Sequence, residues 1–249
     1  MQAERKDIRQ KDDQQDDEAP EPLNPATGIP MTSEELSVTL TAAGTLRAAD
    51  ILEFWFGSDD LQHEPPAQQR AHWFRRSDEF DAEIRNRFGR AIDAALTGKL
   101  AHWAESREGQ LALILLCDQF TRNVFRGTPR AFDGDPLALE ICQAMVRNNQ
   151  QCQLGVHQRA FAGMPLEHSE LPEVQAQSVV YFDQLRSDFS DGNPEVSADA
   201  ARAAEDYYRF AVAHEKVIGQ FGRYPHRNAA LGRKNTPQEQ EWLDNGGGF

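Results

Sequence analysis

Cysteine is scarce in this sequence, which contains Cys117, Cys142 and Cys152 and no others among its 249 residues. Their number is odd and no two are spaced as C-x-x-C, which argues against a disulfide framework and against a zinc site built from cysteine pairs. Free thiols of this kind are typical of proteins in reducing compartments. We therefore expect reduced cysteines and a cytoplasmic location.

A second shortage is of long apolar stretches. None approaches the roughly 18 residues that a membrane-spanning helix requires, and the N-terminus lacks the apolar segment of a signal peptide. Basic residues are also few, since 26 lysines and arginines face 40 acidic residues and give a formal net charge of −14. Binding to phosphate backbones or to anionic lipids needs a basic face. We therefore expect a soluble protein that binds neither nucleic acid nor membranes.

Familiar cofactor and nucleophile motifs are missing as well. The chain has no G-x-G-x-x-G or G-x-x-x-x-G-K-[ST] phosphate loop and no G-x-S-x-G elbow. The segment HEKVI begins like a zinc-protease helix, but Ile218 stands where a second histidine would be needed. We predict no cofactor and no metal. A metal site assembled across helices would have no supporting ligand spacing, and its candidates would be His168, Glu170, His214 and His226.

The first thirty residues differ in composition from the rest of the chain. They carry eight acidic and four basic residues and few large apolar ones. Such a segment cannot bury enough apolar surface to offset the entropy of ordering it. We predict a disordered acidic tail over residues 1–45 and a single all-α domain over residues 46–245.

Helical periodicity dominates the sequence from about residue 47 onward. Apolar residues recur at every fourth position between Ser77 and Gly98, which are typical of the beginning and end of a helix. Thr236, with Pro237 after it and Glu239 three residues on, is typical of the start of a final short helix. The segment that begins at Arg107 is apolar on every side through Leu116, which predicts a helix at the centre of the fold. No alternating, β-branched segment predicts a strand. We therefore predict an all-α fold of seven to nine helices joined by short connections.

A charged stripe continues this central helix. Asp118, Arg122 and Arg126 follow one another at intervals of four residues, so one helix would place them on one face. They could form a structural ion pair with a neighbouring helix. Alternatively, Asp118 could hold the Arg122 guanidinium in position to bind a ligand carboxylate or phosphate through two hydrogen bonds.

The segment MPLEHSEL contains the residue types of a hydrolytic triad. Consecutive side chains point apart, so His168, Ser169 and Glu170 cannot form a proton relay by themselves. Ser169 instead suits the N-cap of the helix that follows, with Pro172 in its first turn. His168 could face a pocket or could be a hydrogen-bonded structural histidine.

From Val217 to Gln238 the chain contains no acidic residue. A turn before a short helix can bind an anion through backbone N–H groups and guanidinium groups together. The same arginines could simply pair with the surplus acidic residues elsewhere. The basic residues of this segment are Arg223, Arg227, Arg233 and Lys234.

Four blocks together carry a family resemblance: ILEFWFG (51–57), DQFTRNVFRGTPRAF (118–132), HSE (168–170) and FGRYPHRNAALGRKNTPQEQEWL (221–243). They resemble an uncharacterised bacterial family, the domain-of-unknown-function family numbered 924, over roughly residues 48–244. The resemblance implies an all-α, tetratricopeptide-repeat-like fold, in which antiparallel helix pairs pack as a superhelical bundle. It implies no settled activity. Glu167 stands where this family commonly has methionine.

We hypothesise that the motif residues from several helices converge on one polar pocket, which would bind a small anionic or polar molecule. For chemistry we select His226 and His168 as acid–base groups, with Glu170 beside them. A helical scaffold that binds a peptide or protein partner, and a purely structural salt-bridge network, remain open alternatives. The predicted ligand-binding residues are Asp118, Arg122, Asn123, Arg126, Arg223, Arg227, Asn228 and Arg233.

Overall fold

The computed structural model describes residues 46–249, and within them all regular secondary structure is helical, which confirms the all-α prediction. The predicted tail, residues 1–45, lies outside the described residues. The α-helices are α1 Ala48–Phe56, α2 Ala67–Arg70, α3 Asp78–Leu96, α4 Arg107–Ile114, α5 Thr121–Val124, α6 Asp135–Arg147, α7 Val156–Glu167, α8 Pro172–Asp188, α9 Ala198–Phe221 and α10 Pro237–Asp244. A π-helical segment, Leu115–Phe120, joins α4 to α5. Short 3-10 helices cover Ala101–Glu105, Pro129–Phe132, Gln150–Gln153 and Pro225–Arg227.

Two residues that the sequence marks as helix starts, Ser77 and Thr236, cap their helices with side-chain hydrogen bonds. Ser77 accepts a hydrogen bond from the backbone N–H of Phe80 at 3.2 Å and so caps α3. Thr236 and Glu239 form a capping box at the start of α10, with Pro237 in the first turn. The polar C-terminal segment is therefore fixed in position by its own local hydrogen bonds.

The centre of the bundle is α4 and the π-helical segment after it. Every residue from Gly109 to Phe120 is buried, in agreement with the all-round apolar pattern. Helices α1 and α6 both pack against α4. Around it lies an aromatic cluster in which Trp55 contacts Phe120 and Phe161 at ring-centroid distances of 5.4 and 5.5 Å.

The sequence analysis missed α7, all of whose residues are buried. The helix packs against α6, α8 and α9. Two of its polar residues contact other helices: His157 Nδ1 lies 2.9 Å from the Tyr207 hydroxyl, and Arg159 Nη1 donates to Asp188 at 2.7 Å. Because α7 ends at Glu167, it brings His168 to the end of the central helix.

The predicted stripe of Asp118, Arg122 and Arg126 on one helix face is wrong at its last member. The helix ends at Val124, because Phe125 leaves helical geometry with φ −111° and ψ 25°. Arg126 therefore turns away from Asp118. The π-helical geometry at residues 115–120 is also unexpected, since that segment contains neither proline nor glycine.

Leu46–Phe249 form one compact unit. A small second apolar cluster near the C-terminus contains Val217, Ile218 and Tyr224. Within residues 46–249, no helix has the length and apolar character that crossing a membrane would require.

Candidate functional site

The centre of the candidate site is the carboxylate of Asp118, which is wholly buried. Its Oδ1 accepts from His168 Nδ1 at 2.6 Å and lies 3.1 Å from Arg122 Nη1. Its Oδ2 accepts from Gln119 Nε2 at 2.6 Å. Although burial opposes the charge, the neighbouring Arg122 and His168 hold the pKa of Asp118 well below its usual value. Asp118 is therefore a buried, ionised carboxylate.

Arg122 connects this carboxylate to a second one, which the sequence analysis did not select. Its Nη1 and Nη2 donate to the two carboxylate oxygens of Asp135 at 2.7 and 3.0 Å. The same Nη1 also donates to the backbone carbonyl of Asp118 at 2.8 Å. The donors of Arg122 are thus largely occupied by the protein itself, and its role here is to hold Asp118 and Asp135 together.

His168 follows α7 and is partly buried, with 16% of its side chain exposed. Burial, and then the positive charge of Arg122, lower its pKa, while Asp118 acts in the opposite direction. The ring is therefore neutral at neutral pH. Because Nδ1 faces an ionised carboxylate, Nδ1 carries the proton and Nε2 has the lone pair, an assignment that follows from the hydrogen-bond network.

Arg227 lies beside His168 and is 7% exposed. Its Nη1 donates to the backbone carbonyl of His168 at 3.0 Å and lies 3.5 Å from Asp135 Oδ2. The guanidinium also lies over the rings of Phe132 and Tyr224, at 4.9 and 4.6 Å from their centroids. Its Nε and Nη2 donate to no acceptor within residues 46–249.

The charge of Arg227 persists in spite of its burial. Burial, and then the nearby Arg122, lower the pKa of Arg227 to about 10. The group is still protonated at neutral pH. A buried cation, two of whose donors have no acceptor in the described part of the chain, therefore lies next to the neutral imidazole of His168.

A buried carboxyl without a charged partner lies next to this pair. Glu167 Oε1 has no hydrogen-bond partner within the described part of the chain, and its Oε2 lies 3.7 Å from His214 Nδ1. Burial, and then the charge of Asp118, raise the pKa of Glu167 well above its usual value. His214 donates instead to the carbonyl of Phe210 at 2.8 Å, and burial lowers its pKa to about 3. Burial therefore favours the neutral form of both groups.

Glu170 is close enough to Arg227 to influence it electrostatically, but its carboxylate is paired with another arginine. It accepts two hydrogen bonds from Arg233, at 2.6 and 2.9 Å, and one from the backbone N–H of Tyr224 at 2.8 Å. Arg233 also donates to Asn228 at 2.8 Å. These contacts fix the turn that carries Arg227.

Arg223 lies in another ion pair. It donates to both carboxylate oxygens of Glu239, at 2.6 and 2.8 Å, and to the backbone carbonyl of Lys234 at 2.9 Å. The structure does not bring Arg223 to Asp118. Instead, the pair joins the turn after α9 to α10.

Asn123 and Arg126 are likewise separate from the Asp118 cluster. Asn123 donates to Asp81 at 2.6 Å, and Arg126 donates to the same carboxylate at 3.0 to 3.1 Å. Asp81 lies in the first turn of α3, so these contacts hold α3 against the end of the central helix. The structure thus supports the structural interpretation for these two residues.

Two further predicted positions are at the edge of the site. His226 is exposed, and its ring lies 5.4 Å from that of Tyr224. Ser169 does not cap α8, because the N-cap is Leu171, whose N–H donates to Ser169 Oγ at 3.2 Å. In the part of the chain that the structure describes, no group of three histidine, cysteine, aspartate or glutamate side chains could hold a metal ion.

The sequence analysis missed Asp135 and Tyr224 as contacts of the site. Asp135 opens α6 and looked like an ordinary acidic residue in a first helical turn. Tyr224 is wholly buried, and its hydroxyl donates to the backbone carbonyl of Glu167. Its position inside the acid-free segment was the available signal, since an aromatic ring next to a buried guanidinium commonly stacks on it.

Comparison with known proteins agrees with the fold. The chain matches the sequence model of a family described as bacterial protein of unknown function, DUF924, over residues 51–247. It is also similar to a solved structure of a protein of unknown function from Agrobacterium tumefaciens, with 31% sequence identity and a TM-score of 0.65. That match covers 80% of this chain and 97% of the other. No curated protein matches the chain significantly.

Proposed function

This chain belongs to the bacterial DUF924 family of unknown function, and we propose that it binds a small anionic molecule at Arg227 and transfers a proton with His168. One observation carries the proposal. A neutral imidazole, oriented by a buried carboxylate at 2.6 Å, lies next to a buried guanidinium whose Nε and Nη2 have no acceptor within residues 46–249. Perturbed titratable groups gathered in this way are typical of functional sites.

The Asp118–His168 pair has the arrangement of a general base with its orienting group. The carboxylate holds Nδ1–H, so the lone pair of Nε2 is available to a ligand. When Nε2 takes a proton from a C–H or O–H group of the bound molecule, the imidazole becomes an imidazolium. The buried charge of Asp118 stabilises that imidazolium. The electron pair left on the ligand adds negative charge, which Arg227 stabilises.

Arg227 is better suited to binding than the other predicted arginines. Its Nε and Nη2 are without acceptors within residues 46–249, whereas Arg223 and Arg233 each bind a carboxylate through two hydrogen bonds. Two donors of one guanidinium can bind a carboxylate or phosphate in parallel. Arg227 Nη1 is also anchored to the carbonyl of His168, so the base and the cation are positioned together.

The scaffold hypothesis has a candidate surface of its own. A cleft of about 720 Å³ lies between α6 and α8 over α7, and Val180 on its wall is 70% exposed. A tetratricopeptide-repeat-like arrangement with antiparallel helix pairs would place a binding groove on such a face. However, the predicted site residues do not line this cleft, and most of the predicted arginines are paired within the chain. The small-anion proposal therefore has the stronger support.

A cytoplasmic location is part of the same proposal. Cys117 and Cys142 are free thiols buried in the core, and Cys152 is an exposed free thiol. Unpaired thiols are typical of proteins that work in a reducing compartment.

Titration calorimetry with acetate, succinate and inorganic phosphate at fixed ionic strength tests the proposal. We expect one of these anions to bind the wild-type chain and to bind Arg227→Gln at least about 10-fold more weakly, since a hydrogen bond to a charged group contributes roughly 1.5–3 kcal/mol. Arg209→Gln is the control, because it removes the same charge from an α9 side chain that is 70% exposed. Arg227→Lys keeps the charge and loses the paired donors, and it should bind weakly.

Two results would contradict the proposal. One is that none of the three anions binds the wild-type protein. The other is that Arg227→Gln, folded by near-UV circular dichroism, binds an anion as tightly as wild type and Arg209→Gln do. In either case the cluster around Asp118 would be a structural salt-bridge network.

A further inference from the structure

The ring of Phe249 lies in a cluster of three other rings beside the proposed anion site. It stacks on His214, with a centroid distance of 3.7 Å and an interplanar angle of 11°. It meets Tyr224 edge-on at 6.2 Å and His226 edge-on at 5.9 Å. In spite of these contacts, 55% of Phe249 is exposed. The ring cluster therefore contacts a phenyl ring without enclosing it.

Two walls of this ring cluster are also walls of the Arg227 site. His214 has the Phe249 ring on one side, and its own ring lies 6.2 Å from that of His168. Tyr224 lies under the Arg227 guanidinium, at 4.6 Å, and also contacts Phe249. A molecule bound to Arg227 could thus extend over these shared walls to the place where Phe249 lies.

We propose that the ring cluster of His214, Tyr224 and His226 is a binding subsite for a planar aromatic group, and that Phe249 occupies it when no ligand is bound. This inference rests on the proposed function, because it extends the anion held by Arg227 into an aryl carboxylate or a similar aryl anion. The aryl ring takes the place of the Phe249 ring while the anionic group pairs with the guanidinium.

The chemistry of the walls favours an aromatic ring over an aliphatic one. His214 is 7% exposed, and it presents the flat face of a neutral imidazole to Phe249. The Tyr224 and His226 rings lie nearly perpendicular to the Phe249 ring, at interplanar angles of 90° and 82°, and complete an arrangement of stacked and T-shaped contacts. Such contacts contribute beyond the burial of apolar area. A saturated ring of the same size would lose this contribution.

The segment that carries Phe249 is suited to moving away. It is Gly246, Gly247 and Gly248, and Gly246 has a φ of 82° that a residue with a side chain rarely adopts. Gly247 packs closely on Trp242, where an added Cβ would lie 2.2 Å from the indole, so the movement is confined to Gly248 and Phe249. A run of glycines loses much conformational entropy on ordering. The Phe249 ring is therefore held weakly, and a ligand ring can displace it.

Calorimetric titration of the full chain with phenylacetate, cyclohexylacetate and acetate tests this inference. We expect phenylacetate to bind most tightly of the three. Phe249→Ala should bind phenylacetate several-fold more tightly than wild type, since the competing ring is gone, and should bind acetate unchanged. Phe74→Ala is the control, because Phe74 is 70% exposed and its ring faces Phe161, and it should bind phenylacetate as wild type does.

The outcomes separate this inference from the proposed function. If acetate binds in a manner that depends on Arg227, and phenylacetate gains no affinity over cyclohexylacetate, the aromatic subsite is wrong and the anion site remains. If phenylacetate binds wild type and Phe249→Ala equally, the ring binds somewhere other than the place of Phe249, and the inference is again overturned. If no carboxylate binds either protein, the aromatic subsite is wrong, and the proposed function fails with it only if inorganic phosphate does not bind either.

Discussion

Asp118 and His168 are 50 residues apart in the chain and are joined by a hydrogen bond of 2.6 Å between Oδ1 and Nδ1. The first lies in the π-helical segment after α4 and the second directly follows α7. Because the carboxylate also pairs with Arg122, the bond lies within a buried set of charges. The consequences of changing either residue follow from this position.

Asp118→Asn should both destabilise the protein and change His168. Breaking a buried ion pair costs about 3–5 kcal/mol when the remaining charge is left unpaired, and because Arg122 keeps Asp135 as a partner we expect a loss at or below the lower end of that range. The pKa of His168, which Asp118 raises, should fall further in the variant. Urea denaturation measures the first effect, and an NMR pH titration of the His168 ring measures the second. As a control, Asp183→Asn removes a half-exposed carboxylate and should change neither quantity.

Glu167→Met should stabilise the protein. The wild-type carboxyl is buried with Oε1 unpartnered in the described structure, and such a group costs roughly 1–3 kcal/mol. The raised pKa of Glu167 means that the folded state keeps the proton, so wild-type stability falls as pH rises above the unfolded value. The gain should therefore be larger at pH 8 than at pH 5, as measured by urea midpoints. A Glu167→Met protein less stable than wild type at both pH values would show that the carboxyl has a hydrogen-bonding role.

Buried neutral histidines predict a loss of stability in acid. The pKa of His157 is lowered from 6.5 to about 4 by burial, so protonation favours the unfolded chain below its unfolded pKa. At about 1.4 kcal/mol per pKa unit, His157 alone should cost about 3 kcal/mol between pH 6.5 and 4. His157→Asn should flatten the stability profile over that range, measured by denaturation at a series of pH values. An equally steep profile in the variant would assign the acid sensitivity to other groups, among which His214 is the first candidate.

The structure separates arginines that hold the fold from the one proposed to hold a ligand. Arg126 is 41% exposed and pairs with Asp81, so Arg126→Ala should cost about 1 kcal/mol of stability or less. It should leave anion binding unchanged, because the Asp81 contacts are separate from Arg227. Thermal melting and calorimetry on one preparation check both quantities. Weakened anion binding in Arg126→Ala would mean that the two clusters are coupled.

The exposed thiol of Cys152 should react with a thiol reagent in the native protein, whereas the buried thiols of Cys117 and Cys142 should not. Burial raises the pKa of the Cys117 and Cys142 thiols, and both side chains lie in the core. Cys152 is exposed. Since the thiolate is the reactive form, a disulfide reagent such as DTNB should label one thiol in the native protein and three in denaturant. Fast labelling of two thiols in native buffer, or of none, would contradict the buried placement of this pair and the exposure of Cys152.

Local patterns predicted the parts of the fold that depend on neighbouring residues. The cap at Ser77, the capping box at Thr236 and the Asp118–Arg122 pair are contacts within three or four residues, and each is present. Helix α7 was missed because His157 and Arg159 interrupt its apolar pattern. Their partners, Tyr207 and Asp188, lie on other helices and are not visible in a local window.

The site was predictable in composition but not in arrangement. The acid-free segment does bring a buried arginine to His168, but Arg223 and Arg233 find Glu239 and Glu170 as partners. Which arginine keeps unoccupied donors depends on which acids the folded chain places nearby. No spacing in the sequence encodes that.

The most direct measurement is the long-range ¹H–¹⁵N NMR spectrum of His168 with and without each of acetate, succinate and inorganic phosphate, in wild type and in Arg227→Gln. We predict a neutral ring at pH 7 with the proton on Nδ1, and Nε2 signals that at least one of these anions shifts in wild type only. A proton on Nε2, or signals that none of the three anions moves in wild type, would contradict the claim that His168 and Arg227 form one anion-binding, proton-transferring site.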